Sequence, residues 1–420
     1  MQRYETYKDS GVQWLGEIPG HWKTIRVKSL LSERIDKSST GVEEPLSMSQ
    51  KLGIVPTKEM DIIPNMASSY IGAKKVFKSD LVFNKLKAHL GVFSISKYDG
   101  LVSPDYAVYK PNELVCLPFM EYAFHTQLYI GEFKRRSTGV AIGLTRLYTP
   151  GLFAIPFVYP PLPEQHSIVS YLDDKCGKID EWIEKKLKEV ELLGEMKQRV
   201  IADAVTRGLD PNVKMKPTNI PWLPEVPEHW HLVRYGNLFK LKPVKKHHEE
   251  ELLSVFLNLG VIRASESDKR THAASEDLSK YQLVEPTDFV MNNQQAWRGS
   301  VGVSKLTGII SPAYHIFIMP TCFDAEYANA LLRSKAIVGQ FEMSSRGVGS
   351  IQRTLNFNWL NNKVVPVPPL SEQHAIVSYI IERTSKIDKM VENINKEIEN
   401  LKEYKQRLIS DVVTGQIKIS

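Results

Sequence analysis

Two long stretches of the chain alternate apolar and charged positions with the spacing of a coiled-coil helix. Each begins with Pro-Leu-x-Glu-Gln-His, in which x is proline or serine, and then continues without proline, over about 40 residues or roughly 60 Å of α-helix. Their apolar positions recur at intervals of four and three residues. The predicted seam positions are Ile179, Ile183, Leu187, Val190, Leu193 and Val200 in the first helix, and Ile387, Val391, Ile394, Ile398, Leu401 and Leu408 in the second. Leu187 falls one place late. Because one helix cannot bury such a stripe alone, we expect the two to pair as an antiparallel coiled coil.

The segment before each long helix has a different pattern. Short apolar runs bounded by turn residues predict strands, and two longer stretches, 118–136 and 324–343, have helical spacing. The predicted strands cover 80–83, 91–95, 106–109, 288–291 and 314–318. Each half of the chain is therefore expected to contain an α/β or α+β domain followed by a long helix.

The two halves repeat at one fixed offset. Glu164-Gln165-His166 recurs as Glu372-Gln373-His374, 208 residues later, and the same offset relates His21-Trp22 to His229-Trp230. A register that does not slip indicates a tandem, pseudo-twofold duplication, and its long period argues against a solenoid of short repeats. The segments 34–78 and 242–286 share almost nothing. This divergence predicts two different specificities on a common frame.

These patterns predict a linear order of domains. The order is an N-terminal framework segment (1–20), a first mixed domain (21–160), a first long helix (161–206), a proline-rich linker (207–228), a second mixed domain (229–368), a second long helix (369–414) and a C-terminal tail (415–420).

Composition narrows the class of protein. A chain of 420 residues with 42% hydrophobic residues is long enough for two cores. The N-terminus lacks a signal-peptide pattern, no apolar run is long enough for a membrane helix, and the three cysteines show no disulfide or metal-site spacing. We therefore expect a cytoplasmic protein. The net charge of +6 is only weak support for a nucleic-acid partner.

Enzyme motifs are absent from the sequence. It contains neither a GxxxxGK[ST] phosphate loop nor a dinucleotide-binding glycine pattern, and neither HExxH nor an EF-hand loop. His247-His248 has no other spaced ligand and is interpreted as part of a solvated loop. The sequence thus predicts no catalytic residue, no metal site and no cofactor in this chain.

Two loop regions carry chemistry suited to DNA, at equivalent places in both halves. In one region glycines let backbone N–H groups approach phosphates, and hydroxyl and guanidinium groups add donors. The other offers amides, which bond adenine bidentately, and arginine, which bonds guanine in the same way. The candidates are Arg135, Arg136, Thr138, Arg146, Arg346, Ser350, Gln352 and Arg353 in the first region, and Lys85, Lys87, His89, Asn293, Gln294, Gln295 and Arg298 in the second. We interpret Gln294 and Arg298 as base contacts and Arg353 as a phosphate contact. Ordinary polar loops remain the alternative interpretation.

The segments Trp-Leu-Gly-Glu-Ile-Pro-Gly-His-Trp at 14–22 and Trp-Leu-Pro-Glu-Val-Pro-Glu-His-Trp at 222–230 precede the two mixed domains. Together with the Pro-Pro-Leu-x-Glu-Gln-His helix starts and the duplicated order of domain and helix, these segments carry a resemblance to a known family over essentially the whole chain. The chain resembles the specificity subunit of type I restriction–modification systems.

The resemblance implies two target-recognition domains, 21–160 and 229–368, each reading one half of a bipartite target in double-stranded DNA. It also implies that the helices act as a spacer and dock two modification (methyltransferase) subunits, which restriction subunits then join. Catalysis, S-adenosylmethionine, and ATP with magnesium would belong to those partners. Two alternatives stay open: a protein-interaction adaptor, and the targeting part of a self-contained DNA-modifying enzyme.

Overall fold

The computed structural model describes residues 2–50, 52–60, 69–139, 145–242, 250–257, 259–266, 278–347 and 353–419. The chain forms two compact units. Unit 1 comprises Met1–Lys186 and Lys396–Ser420, and unit 2 comprises Leu187–Asn395.

Unit 1 mixes short strands with helices. Its strands are β1 (Tyr7–Asp9), β2 (Glu17–Pro19), β3 (Lys23–Arg26), β4 (Leu31–Glu33), β5 (Leu46–Ser49), β6 (Gly53–Pro56), β7 (Lys74–Val76), β8 (Leu81–Asn84), β9 (Phe93–Ile95), β10 (Gly100–Val102), β11 (Tyr106–Pro111) and β12 (Pro156–Tyr159). Its helices are α1 (Leu117–Phe124), α2 (Gln127–Arg136), α3 (Thr149–Phe153) and the first part of α4 (Leu162–Arg207), with 3-10 turns at Val27–Ser29, Thr57–Glu59 and Ala88–Leu90. A four-stranded antiparallel sheet has the order β4-β11-β8-β9. Four antiparallel pairs, β1–β2, β3–β12, β5–β6 and β7–β10, complete the unit.

Unit 2 has a corresponding set of elements. Its strands are β13 (Met215–Ile220), β14 (Leu223–Pro227), β15 (His231–Arg234), β16 (Lys240–Leu241), β17 (Leu253–Phe256), β18 (Gly260–Arg263), β19 (Gln282–Val284), β20 (Phe289–Asn292), β21 (Val301–Val303), β22 (Gly308–Ile310), β23 (Tyr314–Ile318), β24 (Ser345–Arg346), β25 (Thr354–Leu355) and β26 (Val364–Val367). Its helices are the end of α4, then α5 (Tyr235–Leu238), α6 (Ala325–Leu332), α7 (Lys335–Met343), α8 (Phe357–Leu360) and the first part of α9 (Leu370–Val413), with 3-10 turns at Ala264–Glu266 and Ala296–Arg298. The end of α9 belongs to unit 1. The four-stranded antiparallel sheet has the order β16-β23-β20-β21. The predicted mixture of helix and strand, with two long helices, is confirmed in its α+β form.

Each unit has a main core that includes the end of a long helix. In unit 1, Leu408, Val412 and Val413 of α9 are buried in the same cluster as Trp22. In unit 2, Ala204 and Val205 of α4 are buried with Trp230. Neither core is therefore formed by one domain-plus-helix repeat of the sequence on its own.

The linker and the terminal segments are folded parts of these units. The predicted linker, 207–228, contains the β13–β14 hairpin, and its Val226 is fully buried in unit 2. The framework segment, 1–20, contains the β1–β2 hairpin with Ile18 fully buried. In the tail, Gln416 donates a hydrogen bond to the carbonyl of Glu17, at 2.9 Å.

Each of the two shorter stretches with helical spacing forms two helices. The stretch 118–136 is α1 and α2, and 324–343 is α6 and α7. The residues before the second helices, Thr126 and Ser334, have extended backbones with ψ of 151° and 150°. Both residues occupy the N-cap position, but neither side chain accepts a capping hydrogen bond, and the Thr126 hydroxyl donates to the Ala123 carbonyl instead. The apolar period continues across each break because both helices face one core.

Segments of α4 and α9 contact each other in antiparallel order within each unit. In unit 1, Lys405 Nζ lies 2.6 Å from Asp180, and Lys186 Nζ lies 3.0 Å from Glu397. In unit 2, Lys197 Nζ lies 2.6 Å from Asp388. In unit 1, the contacting residue of α9 changes from 405 to 397 as the residue of α4 changes from 180 to 186. The two helices therefore run antiparallel there.

The predicted seam positions differ in burial along this contact. The buried ones are Ile387, Ile394, Ile398 and Leu408, and the half-buried ones are Ile179, Ile183, Val190, Leu193, Val200, Val391 and Leu401. Leu187 is 54% exposed, so the prediction for this residue is wrong. Lys186 takes the heptad position instead, three residues after Ile183 and four before Val190. A lysine fits there because its stem packs along the helix while its ammonium group reaches Glu397.

Candidate nucleic-acid interface

A glutamate at the start of each long helix binds the helix to its mixed domain. In unit 1, Glu164 lies 2.7 Å from His21 Nε2 and accepts a hydrogen bond from Trp22 Nε1 at 3.1 Å. In unit 2, Glu372 makes the same contacts with His229 and Trp230, at 2.8 and 3.0 Å. These residues recur in the sequence at the constant offset of 208 residues. The repetition therefore preserves the contacts that attach each long helix to its mixed domain.

The glutamine that follows each glutamate is buried and fully bonded. Gln165 accepts from the Cys116 N–H at 2.8 Å and donates to the carbonyls of Leu114 and Pro160. Gln373 accepts from the Asp324 N–H at 2.8 Å and donates to two carbonyls in the same way. We call these glutamate and glutamine contacts the frame contacts. Sequence reasoning did not find their role, although the recurrence of Glu-Gln with His-Trp was the available signal.

The frame brings the two candidate loop regions together in each unit. In unit 1 the Leu147 N–H donates to the Lys85 carbonyl at 2.9 Å. In unit 2 the Leu355 N–H donates to the Asn293 carbonyl at 3.4 Å. These two pairs are 208 residues apart in sequence. The regions that sequence chemistry singled out are therefore one surface in each unit, although about 50 to 60 residues separate them along the chain.

The surface of unit 1 carries lysine, histidine and arginine side chains. Lys85 donates from Nζ to the Pro104 carbonyl at 2.8 Å, and burial, with the nearby Lys74 charge, lowers the pKa of Lys85. Arg146 lies 3.5 Å from Asp105, and its backbone pairs with that of Thr138. The remaining candidates on this side are Lys87, which is exposed, and His89, which is half-buried.

The two other candidate arginines of unit 1 are held by one carboxylate. Arg135 donates from Nε and Nη2 to Glu132, at 2.7 and 2.9 Å, and Arg136 donates from Nε at 2.9 Å. The Glu132 side chain is only 7% exposed, and the hydrogen bond from Arg135 lowers its pKa. Together the three side chains carry one net positive charge, so their attraction for phosphate is weaker than two arginines would give.

The surface of unit 2 combines amides with arginines stacked on tryptophans. The guanidinium carbons of Arg353 and Arg298 lie 4.7 and 5.6 Å from the ring centre of Trp297. Arg346 lies 4.3 Å from the ring centre of Trp359. Of the amide candidates, Gln294 is exposed, and Asn293 and Gln295 are half-buried. Two further candidates, Ser350 and Gln352, lie outside the described residues.

Sequence reasoning missed Trp297 and Trp359 as functional candidates. For Trp297 the available signal was the adjacent Arg298 in an otherwise polar loop, since guanidinium groups stack on indole rings. Trp359 gave no such signal, because Arg346 lies 13 residues before it in the sequence.

Neither metal ligands nor membrane helices appear in the part of the chain that the structure describes. Within it, no three or more His, Cys, Asp or Glu residues are grouped to hold a metal ion. His247-His248 lies outside it. None of its helices combines the length and the apolar character needed to cross a membrane.

Comparison with known proteins identifies relatives over nearly the whole chain. No protein-family model matches it. A curated relative from Methanocaldococcus jannaschii, a candidate type I restriction enzyme MjaX specificity subunit, is 21% identical and covers 96% of both chains. The type I restriction enzyme MjaVIII specificity subunit of the same organism is 22% identical over 96% of this chain and 94% of the relative. The chain is thus similar over nearly its whole length to type I restriction enzyme specificity subunits, which confirms the resemblance found in the sequence.

A solved structure supports the fold. It is a chain of a type I restriction–modification system whose complex assembly and conformational transition were studied. The two superpose with a TM-score of 0.67 at 14% identity, covering 95% of this chain and 99% of the other. At this identity the match supports the α+β fold with two long helices.

Proposed function

We propose that this protein is the non-catalytic DNA-recognition and scaffold subunit of a type I restriction–modification complex. The observation that carries the proposal is the match of about its whole length to specificity subunits of such enzymes. Under this proposal the chain supplies the target sequence and the assembly platform. Methyl transfer with S-adenosylmethionine, and cleavage with ATP and magnesium, are tasks of its partner subunits.

The recognition surfaces are the joined loop regions of the two units. Residues 21–160 and 229–368 are the target-recognition domains, and each reads one half of a bipartite DNA sequence. What supports this assignment is that a hydrogen bond to Lys85 in unit 1, and to Asn293 in unit 2, joins the same two regions. Lysine and arginine at such a surface contact phosphates, and amide and guanidinium groups contact base edges.

The long helices form a spacer between the recognition domains. The proposal is an antiparallel coiled coil that arose with the duplication and that holds the two half-sites at a fixed distance. The ion pairs of Asp180 with Lys405 and of Asp388 with Lys197 support it, because they are related by the same offset of 208 residues. Changing the length of the helices is then expected to change the gap by about 1.5 Å per residue.

Exposed apolar side chains on the helices are the proposed contacts for two modification subunits. In unit 1, Trp182 and Tyr404 border a shallow apolar hollow that Ile179 and Leu401 also line. At the equivalent positions of unit 2 stand Met390 and Met196, which are also exposed. Large apolar side chains left in solvent at corresponding places are typical of surfaces that a partner covers.

The test uses the complex assembled with its modification subunits. The complex is incubated with a library of randomised DNA duplexes, and the bound duplexes are sequenced. We expect a bipartite consensus and a steep fall of log affinity with log salt, since each phosphate contact releases a counterion. A salt slope near zero with no consensus would favour the adaptor function. Methyl transfer by the isolated chain with S-adenosylmethionine would favour the self-contained enzyme.

Exchange of one recognition domain tests the division of labour. Residues 21–160 are replaced by the equivalent segment of a relative, and the methylated sites of the chimera are sequenced. We expect one half-site to change while the other half-site and the gap between them stay the same, because contacts at separate sites are nearly additive. A change in both half-sites would contradict the proposal.

A further inference from the structure

One tryptophan of unit 2 is fixed firmly enough to orient the arginines beside it. Trp297 lies in the 3-10 turn Ala296–Arg298, in which Ala296 is fully buried. Its indole Nε1 donates to the carbonyl of Gln294 at 3.0 Å. The turn ends at Gly299, whose φ of +97° favours glycine. The half-buried ring is therefore a rigid support on the candidate DNA surface.

Arg353 is the better held of the two arginines on this ring. Its guanidinium carbon is the nearer, at 4.7 Å from the ring centre, and its side chain is 31% exposed. It is the residue next to β25, which the Leu355–Asn293 hydrogen bond ties to the same surface. A guanidinium group stacked on an indole ring loses less freedom when it binds a ligand, and its N–H donors point outward from its edge.

A carboxylate beside Arg353 decides between base and phosphate as its ligand. Glu342 Oε1 lies 3.5 Å from Arg353 Nη1. Its negative charge repels a phosphate, which carries a full charge, more strongly than it repels the partly charged acceptors of a base. Guanine presents two such acceptors, O6 and N7, in the geometry that arginine bonds bidentately. The surroundings of Arg353 therefore favour guanine, in contrast to the phosphate role that the sequence suggested.

The cluster of Trp297, Arg298 and Arg353 belongs to unit 2 alone. The positions of unit 1 that lie 208 residues earlier hold His89, Leu90 and Thr145. The frame contacts are the same in both units, whereas these three residues differ. The cluster is therefore one of the features by which the two candidate surfaces differ. Under the proposed function, that distinction is the sequence of the half-site.

We propose that Arg353 selects a guanine in the half-site read by unit 2, and that Trp297 positions it for this contact. The inference rests on the proposed function. Arg298 is more exposed than Arg353 and lies farther from the ring. Arg353 is a specificity-determining residue, and Trp297 acts through it.

The experiment compares variants of the assembled complex in selections from a library of randomised bipartite duplexes. Arg353→Lys keeps the positive charge and removes the planar, stacked fork. Trp297→His places the unit 1 residue under Arg353, and Trp297→Phe keeps an aromatic ring. Arg353→Ala removes both the charge and the fork, and Lys87→Ala, in unit 1, is its control for loss of a charge. Thermal unfolding of each variant confirms that it is folded.

We expect Arg353→Lys to lower the preference for guanine at one position of one half-site by about 5- to 150-fold. The other half-site keeps its consensus. Trp297→His lowers the same preference by less, and Trp297→Phe restores most of it. Lys87→Ala weakens all sequences alike.

Four results would overturn the inference. If Arg353→Lys leaves the consensus unchanged, or if Arg353→Ala weakens every sequence alike, Arg353 does not read a base. If the wild-type consensus contains no guanine in either half-site, the inference fails while the proposed function stands. If the wild-type complex selects no consensus at all, the proposed function fails, and the inference fails with it.

Discussion

The candidate surfaces of units 1 and 2 are held by the same contacts but offer different chemistry. In unit 1 the surface presents Lys85 and Arg146 with carboxylates nearby, and Glu132 binds two further arginines. In unit 2 the position of Lys85 is occupied by Asn293, and tryptophan rings support the arginines. The first surface thus relies more on charge, and the second relies more on oriented donors.

This difference separates what a recognition unit must keep from what it is free to change. The frame contacts of Gln165 and Gln373 are buried, and every substitution there leaves backbone groups without partners. The loop residues are exposed or half-buried, so they can change without loss of the fold. A common frame with two independent surfaces follows from that contrast in burial.

The largest effect is expected from a charge placed in the seam between the two long helices. Ile398 is 3% exposed, so Ile398→Asp is expected to lower the free energy of unfolding by about 3 kcal/mol or more. Leu187→Asp is the matched control on the other helix, and its effect should stay within about 0.5 kcal/mol. Urea denaturation of the two variants measures both values. Equal effects would contradict the correction of the seam from Leu187 to Lys186.

The next largest effect tests whether the two frames are equivalent. Gln165→Leu and Gln373→Leu each leave one N–H and two carbonyl groups unpaired, which should destabilise the affected unit by about 2–3 kcal/mol. Gln198→Leu, at an exposed position of α4, is the control and should change little. Thermal unfolding followed by circular dichroism makes the comparison. A large loss in one unit only would show that the frames are not equivalent.

Exchanging one residue between the two surfaces sharpens the comparison of their chemistry. Lys85→Asn should make the slope of log affinity against log salt shallower by about 1, and Asn293→Lys should make it steeper by about 1. Lys110→Asn is the control, because Lys110 is exposed near the opposite end of β11 from the candidate surface. Titrations of the assembled complex with its target duplex at several salt concentrations give the slopes. If Lys85 and Lys110 variants behave alike, Lys85 makes no phosphate contact.

The smallest effect concerns the ion pairs between the helices. Asp180→Ala and Asp388→Ala each remove an exposed partner of a lysine, so each should cost less than about 1 kcal/mol. The two costs should be equal and should shrink at high salt, because exposed pairs are screened. Urea denaturation at low and high salt tests this. A cost that salt does not change would point to a packing role for the lysine stems instead.

Much of the fold could be predicted from the sequence because its signals are long and repeated. The heptad spacing extends through both long helices, and the offset of 208 residues aligns the frame contacts. Short-range choices were harder. The chain breaks at Thr126 and Ser334 within a continuous apolar period, and Lys186 replaces Leu187 because a lysine can be half-buried while its charge is paired.

The sequence predicted where the candidate surfaces lie, but not which side chains on them contact one another. The sequence located loops that the structure brings together, because both regions repeat with the frame. It could not show that Glu132 neutralises part of the charge of Arg135 and Arg136, nor that Trp297 supports Arg353. Those relationships depend on side-chain distances that only the folded chain defines.

The division of the core of unit 1 between two distant segments has a consequence for synthesis and for truncation. Every residue of unit 2 precedes residue 396, whereas unit 1 needs Leu408, Val412 and Val413 to close its core. On the ribosome, the unit that begins later in the chain is thus the first to have all of its residues. A stop codon after Glu403 would remove nothing from unit 2, yet it would expose the interior of unit 1, most of which is encoded about 200 codons or more upstream.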